Sequence, residues 1–140
     1  MSETQKVLAA NQSFYHAFNR QDLDLMIQTW ASRADDICVH PGWTPLLGPN
    51  AIVESWEGIF ESGEGLEIEL SDVRVEISDE LAWVRCRENL FSLSASGVHA
   101  SRVFATNLFR KIDGRWQMIL HHASSLPQEM PLDSLSHDEE

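Results

Sequence analysis

Asp113-Gly114 is the feature that most constrains the fold. It sits between two runs with alternating apolar residues, Val98 to Ile112 and Arg115 to Ser125. An Asp-Gly pair in that setting supplies the positive backbone φ angles of a two-residue hairpin turn. The turn fixes a register, and the register assigns every side chain to one face of the sheet. Ile112 is expected opposite Arg115, so Asn107 falls opposite Leu120 and Ala105 opposite His122. A turn at Ser94 to Gly97 pairs Leu93 with Val98. That puts Cys86 opposite Ala105 and Glu88 opposite Val103.

The elements before this hairpin read as helices first, then strands. Val7, Asn11, Phe14, Tyr15 and Phe18 share one face of a helix over residues 4–19, with Asn11 and Tyr15 as the polar members of a buried stripe. Asp22 is a plausible N-cap for a second, short helix whose buried face is Leu23, Met26, Ile27 and Trp30. Ile37 to His40 reads as a strand that Pro41-Gly42 stops. The apolar loop from Trp43 to Gly48 needs a cover of core, ligand or partner. Pro49 opens a third helix with Ile52, Val53, Trp56, Ile59 and Phe60 on its inner stripe. From Leu66 the period changes to two, with a bulge at Ser71-Asp72. A strand then runs from Leu81 to Leu93. Helices followed by a meander of long strands give an α+β class, with three N-terminal helices packed on a strongly curved antiparallel or mixed sheet. Residues 1–127 form the single domain, and 128–140 form an acidic tail.

Composition excludes several functions. The chain has 140 residues and a formal net charge of -12. Such a surface repels phosphate backbones and anionic membranes, so neither nucleic acid nor membrane is an expected partner. No apolar run is long enough to span a bilayer, and no secretory signal opens the chain. Two cysteines, Cys38 and Cys86, are too few for a disulfide framework. A cytoplasmic location is the expectation.

The register divides the sheet into two faces. One carries Cys86, Glu88, Val103, Ala105, Asn107, Met118, Leu120, His122 and Ser124. Its small apolar residues with few polar groups suit a small-molecule cavity closed by the helices. The other carries Trp83, Arg85, Arg87, Phe104, Leu108, Ile119 and His121. Its mixture of aromatics and arginines resembles a protein interface, so a homodimer through this face is expected.

The order of elements and the ending DGRWQMILHHASSLP resemble the NTF2-like superfamily, a cystatin-like cone fold. FYHAFNRQDLDLMIQTWA and ICVHPGWTPLLGPNAIVESWEGIF resemble the SnoaL-like branch, over residues 5–127 in all. That resemblance implies one of several roles found among steroid isomerases, polyketide cyclases, dehydratases and a kinase association domain. It carries no activity by itself.

Glu88 and His122 are the candidate catalytic pair. A carboxylate on an apolar face must be paired or protonated, and a raised pKa suits general acid–base work. A salt bridge or hydrogen bond near the open end of the sheet explains Glu88 equally well, and a core hydrogen bond explains His122. Asn107 is placed to orient His122. Tyr15, His40, Trp43, Trp56 and Phe60 complete the candidate ligand wall, against the plainer view that both tryptophans are core. His121 and His122 point to opposite faces, and no metal-ligand spacing occurs, so neither metal nor cofactor is expected. Three functions follow: a small-molecule-binding dimer, an acid–base isomerase, cyclase or dehydratase, or a non-catalytic association domain.

Overall fold

The computed structural model describes residues 1–62 and 65–127. The expected acidic tail, 128–140, lies outside the described residues. The elements run α1 Glu3–Arg20, α2 Leu23–Thr29, β1 Ile37–Val39, β2 Leu46–Leu47, α3 Pro49–Glu61, β3 Leu66–Ser78, β4 Leu81–Ser94, β5 Gly97–Ile112 and β6 Arg115–Ser125. Among the described residues, six strands form one sheet in the order β2-β1-β6-β5-β4-β3. β1 runs parallel to β6 and every other pairing is antiparallel. This is an α+β cone with a mixed sheet.

Local chemistry sets the helix ends. Ser2 accepts from the Gln5 backbone while the Gln5 side chain accepts from Ser2 N–H, a reciprocal capping box. Asp22 caps α2 through Leu25 N–H at 3.0 Å. α1 buries Val7, Asn11, Phe14, Tyr15 and Phe18, the stripe expected from spacing. Met26 and Trp30 are buried on and after α2, but Ile27 faces solvent. The Trp43-to-Gly48 loop contains β2, which pairs with β1. β3 carries an irregularity between Ser71 and Arg74, with Asp72 at φ 54°, where the bulge was expected.

The β4–β5 register is the one counted from the sequence, including Cys86 opposite Ala105 and Glu88 opposite Val103. The β5–β6 register is not. It starts as expected with Ile112 opposite Arg115, then shifts between Leu108 and Phe109. Phe109 pairs with Met118 and Leu108 with Leu120, so Ile119 is an extra residue on β6. One extra residue turns every later side chain to the other face. Asn107 therefore pairs with His121, not Leu120, and Ala105 with Ala123, not His122.

The bulge falls where the tertiary surroundings of β6 change. β6 changes its outer neighbour there. Before it, Met118 bridges Trp30, and its carbonyl accepts from Ala31 N–H at 2.9 Å. After it, Leu120 pairs with Ile37 of β1. The expected places of the two histidines are thus reversed. His121 is 3% exposed inside the cone. His122 is exposed on the outer side, opposite Thr106. His122 does not share a face with Glu88, and His121 does not belong to the outer surface.

Candidate functional site

A buried polar chain crosses the apolar interior from α1 to β6. Asn107 on β5 is its hub. Its amide nitrogen donates to Asn11 Oδ1 at 2.9 Å and to the Tyr15 hydroxyl at 3.1 Å. Its carbonyl oxygen lies 2.6 Å from His121 Nδ1. That oxygen can only accept, so Nδ1 carries the proton and Nε2 of the neutral ring carries the lone pair. Tyr15 in turn donates to Glu88 Oε2 at 2.6 Å. His121 Nε2 stands 4.0 Å from the same oxygen. The polar positions on the α1 stripe exist to meet this hub.

Burial sets the charges. Glu88 is 4% exposed. Desolvation pushes its carboxyl up to about 7, against a smaller opposing pull from the Tyr15 hydrogen bond. Burial, with lesser contributions from His40 and His122, pushes His121 down to about 3. The 4.0 Å separation would suit an ion pair, but burial opposes both charges. Below about pH 7 the pair is a carboxyl group beside a neutral imidazole, and above it Glu88 gives up its proton. Desolvation also drives the Tyr15 hydroxyl well above its usual range, so it stays a donor. Oε2 accepts from Tyr15, and a proton on Oε1 leaves that bond undisturbed. Among the described residues, Oε1 has no hydrogen-bond partner.

A cavity of about 190 Å³ opens beside this pair. Glu88 and His121 line it together with His40, Trp43, Trp56, Phe14 and Phe18. Its remaining wall is largely aliphatic: Ile59, Leu66, Ile68 and Leu90. His40 Nε2 lies 2.9 Å from Ser55 Oγ, whose own proton goes to the Ile52 carbonyl at 2.7 Å. His40 is therefore the donor in that bond. Burial holds it neutral, down to about 4. Its ring meets Trp56 edge-on at 4.6 Å. Trp56 is 3% exposed, and its Nε1 is buried without a partner.

The sequence-expected residues separate into layers. Glu88, His40, Trp43 and Trp56 meet at the cavity. Tyr15 and Asn107 do not line it; they stand behind Glu88 and His121 and hold them. Phe60 packs on Trp56 and Phe18, at 6.0 and 6.3 Å, and lines a small crevice that adjoins the cavity at Phe18, Ile59 and Leu66. His122 is absent from the site. Sequence counting missed His121 because of the bulge, and it missed Ser55, which orients His40. Cys38 and Cys86 are buried thiols, pushed up by burial to about 12 and about 11, and neither suits a nucleophile.

The sequence model of the SnoaL-like domain matches residues 7–129. The chain belongs to the SnoaL-like domain family. The solved structure of a proposed dehydratase of the NTF2-like family from Streptomyces avermitilis is 30% identical to this SnoaL-like domain. It superposes with a TM-score of 0.82 over 89% of this chain and 97% of that one. A candidate calcium/calmodulin-dependent protein kinase type II association domain from Thiobacillus denitrificans is 29% identical, with a TM-score of 0.73 over 85% of this chain and 94% of that one. Among curated proteins, the F-box protein SKIP8 of Arabidopsis thaliana is 26% identical over 121 residues, 86% of this chain and 50% of that protein. The chain spans about half the length of that relative. Among the described residues, no helix of this SnoaL-like domain is long and apolar enough to cross a membrane.

Proposed function

We propose that this SnoaL-like domain binds a small, largely apolar molecule in the inner cavity and holds an oxygen function of that molecule against Glu88. The observation that carries the reading is Glu88, a buried carboxyl that lines an apolar cavity and whose Oε1 has no hydrogen-bond partner among the described residues. Such atoms are satisfied by a water or a ligand. Calorimetry with small ketones and the hydrocarbons of matching shape tests it. The ketones should bind about tenfold tighter, the worth of one net hydrogen bond. Their affinity should fall as pH rises through about 7, where Glu88 loses the donated proton. Hydrocarbons that bind equally well would sink the reading.

A second reading is favoured by one further contact. His121 Nε2 carries a lone pair 4.0 Å from Glu88, so a proton acceptor and a proton donor face one cavity. That arrangement suits cofactor-independent proton transfer next to a carbonyl, as in an isomerase, cyclase or dehydratase. The similarity to a proposed dehydratase agrees with it. Deuterium uptake from heavy water at the α-carbon of a bound ketone, followed by NMR, should exceed the buffer rate and fall to it in Glu88→Gln. Uptake at the buffer rate in the unaltered protein would exclude the chemistry.

Self-association is the remaining part of the proposal. The outer sheet face presents Trp83 and Phe104, 37% and 36% exposed, beside Arg85, Arg87, Leu108 and Ile119. Aromatic side chains with arginine are enriched at protein interfaces, and the similarity to a candidate association domain fits a homodimer here. Light scattering should give twice the chain mass, and Phe104→Glu should halve it.

A further inference from the structure

We infer that the ligand is an elongated, uncharged molecule, with its oxygen-bearing head in the inner cavity and a hydrocarbon tail lying in the groove along α3. This rests on the binding reading above and adds the shape and charge of what binds.

A larger, open groove of about 670 Å³ runs beside the inner cavity. Trp43, Ile59 and Leu66 line both spaces, so the groove adjoins the cavity across these three side chains. The inner volume of about 190 Å³ is smaller than the roughly 300 Å³ at which sites for larger organic ligands begin. The groove brings the combined site into that range.

The chemistry of the groove selects a tail. Leu46, Ala51 and Ile59 give it apolar walls. Its two serines are already committed to the backbone of α3. Ser55 Oγ donates to the Ile52 carbonyl and Ser62 Oγ to the Ile59 carbonyl, both at 2.7 Å. They offer little to a polar chain. Charge selects the head. Among the described residues, no lysine or arginine lines either space, while Glu54 lines the groove and Glu88 the cavity. With a net charge of -12 over the whole chain, a carboxylate or phosphate head is repelled. A ketone, aldehyde or alcohol is not.

Gly58 makes the inference testable without disturbing the core. It lies on α3 in the groove wall, and a Cβ built there meets nothing within 4 Å. Gly58→Phe would fill the groove from an exposed helical position. The probes are 2-pentanone, 2-heptanone, 2-nonanone and 2-undecanone, with decanoate as the anionic control, measured by calorimetry. In the unaltered protein the Kd should fall about fourfold for each methylene that enters the groove. Gly58→Phe should bind 2-pentanone as before and show no gain with length.

A Kd that does not change with length in the unaltered protein would overturn the inference while leaving the inner site standing. So would a Gly58→Phe series that tracks the unaltered one. Decanoate bound as tightly as 2-undecanone would overturn the uncharged head. Failure of every ketone, short ones included, would remove the binding reading itself.

Discussion

The two faces of the sheet are built from alternate residues of the same strands, yet they follow different rules. On the inner face, the polar groups of Asn11, Tyr15, Glu88, Asn107 and His121 form one connected chain, and each is buried. On the outer face, Trp83, Arg85, Phe104 and His122 lie exposed, and Arg87 reaches Asp72 at 3.5 Å. Low dielectric makes an unpartnered polar group costly inside and nearly free outside. The adjacent residues His121 and His122 show the contrast most directly. One is a neutral hydrogen-bond donor to Asn107, and the other is a solvated ring. A single bulged residue, Ile119, decides which is which.

The sharpest way to break this contrast is to remove the inner hub. Asn107→Leu keeps the volume and leaves Asn11, Tyr15 and His121 without their shared partner. Urea denaturation should show a loss of about 3–5 kcal/mol, since several buried groups are orphaned together. A loss below about 1 kcal/mol would mean the chain of bonds is not formed.

A second test uses the raised Glu88 carboxyl. Its folded value of about 7 exceeds the ordinary 4.5, so the folded protein holds this proton more tightly than the unfolded chain. The associated stability is fully present below about 4.5 and is lost as pH rises through about 7. His121 and His40 are shifted the other way, and their stability is lost as pH falls below the ordinary 6.5. Comparing the protein with Glu88→Gln cancels the histidines. The stability difference between the two should change by about 3 kcal/mol between those pH values, in favour of the variant at high pH. A parallel pair of curves would contradict the burial of this carboxyl.

The histidine comparison comes next in size. His121→Ala removes a ring packed on Phe14 at 4.7 Å and a bond to Asn107, and should cost about 2–3 kcal/mol. His122→Ala should stay within about 0.5 kcal/mol. Equal costs would restore the unbulged register. The smallest effect is expected outside: Phe104→Glu should change monomer stability by about 0.5 kcal/mol or less while altering mass in solution.

Much of the frame was legible from local signals. Asp113-Gly114 set the start of the last hairpin, and the spacing of Val7, Phe14 and Phe18 gave the buried side of α1. Glu88 was placed on the inner face because β4 and β5 keep strict alternation up to it. The bulge was not legible by counting from the turn, because its cause is tertiary: β6 exchanges Trp30 for β1 as its neighbour. A usable signal existed in α1. Asn11 and Tyr15 sit on a buried stripe and require polar partners, and an inward His121 helps complete that set. The layering of the site was also beyond the sequence. Tyr15 and Asn107 share a face with the cavity residues, but only packing shows that they stand behind them.

Direct titration of the Glu88 carboxyl by carbon-13 NMR tests the central claim, with Glu88→Gln identifying the signal. The account expects a midpoint near 7 in the free protein, as for a protonated donor buried in a ligand cavity. A midpoint near 4.5, the value of an ordinary solvated glutamate, would contradict it.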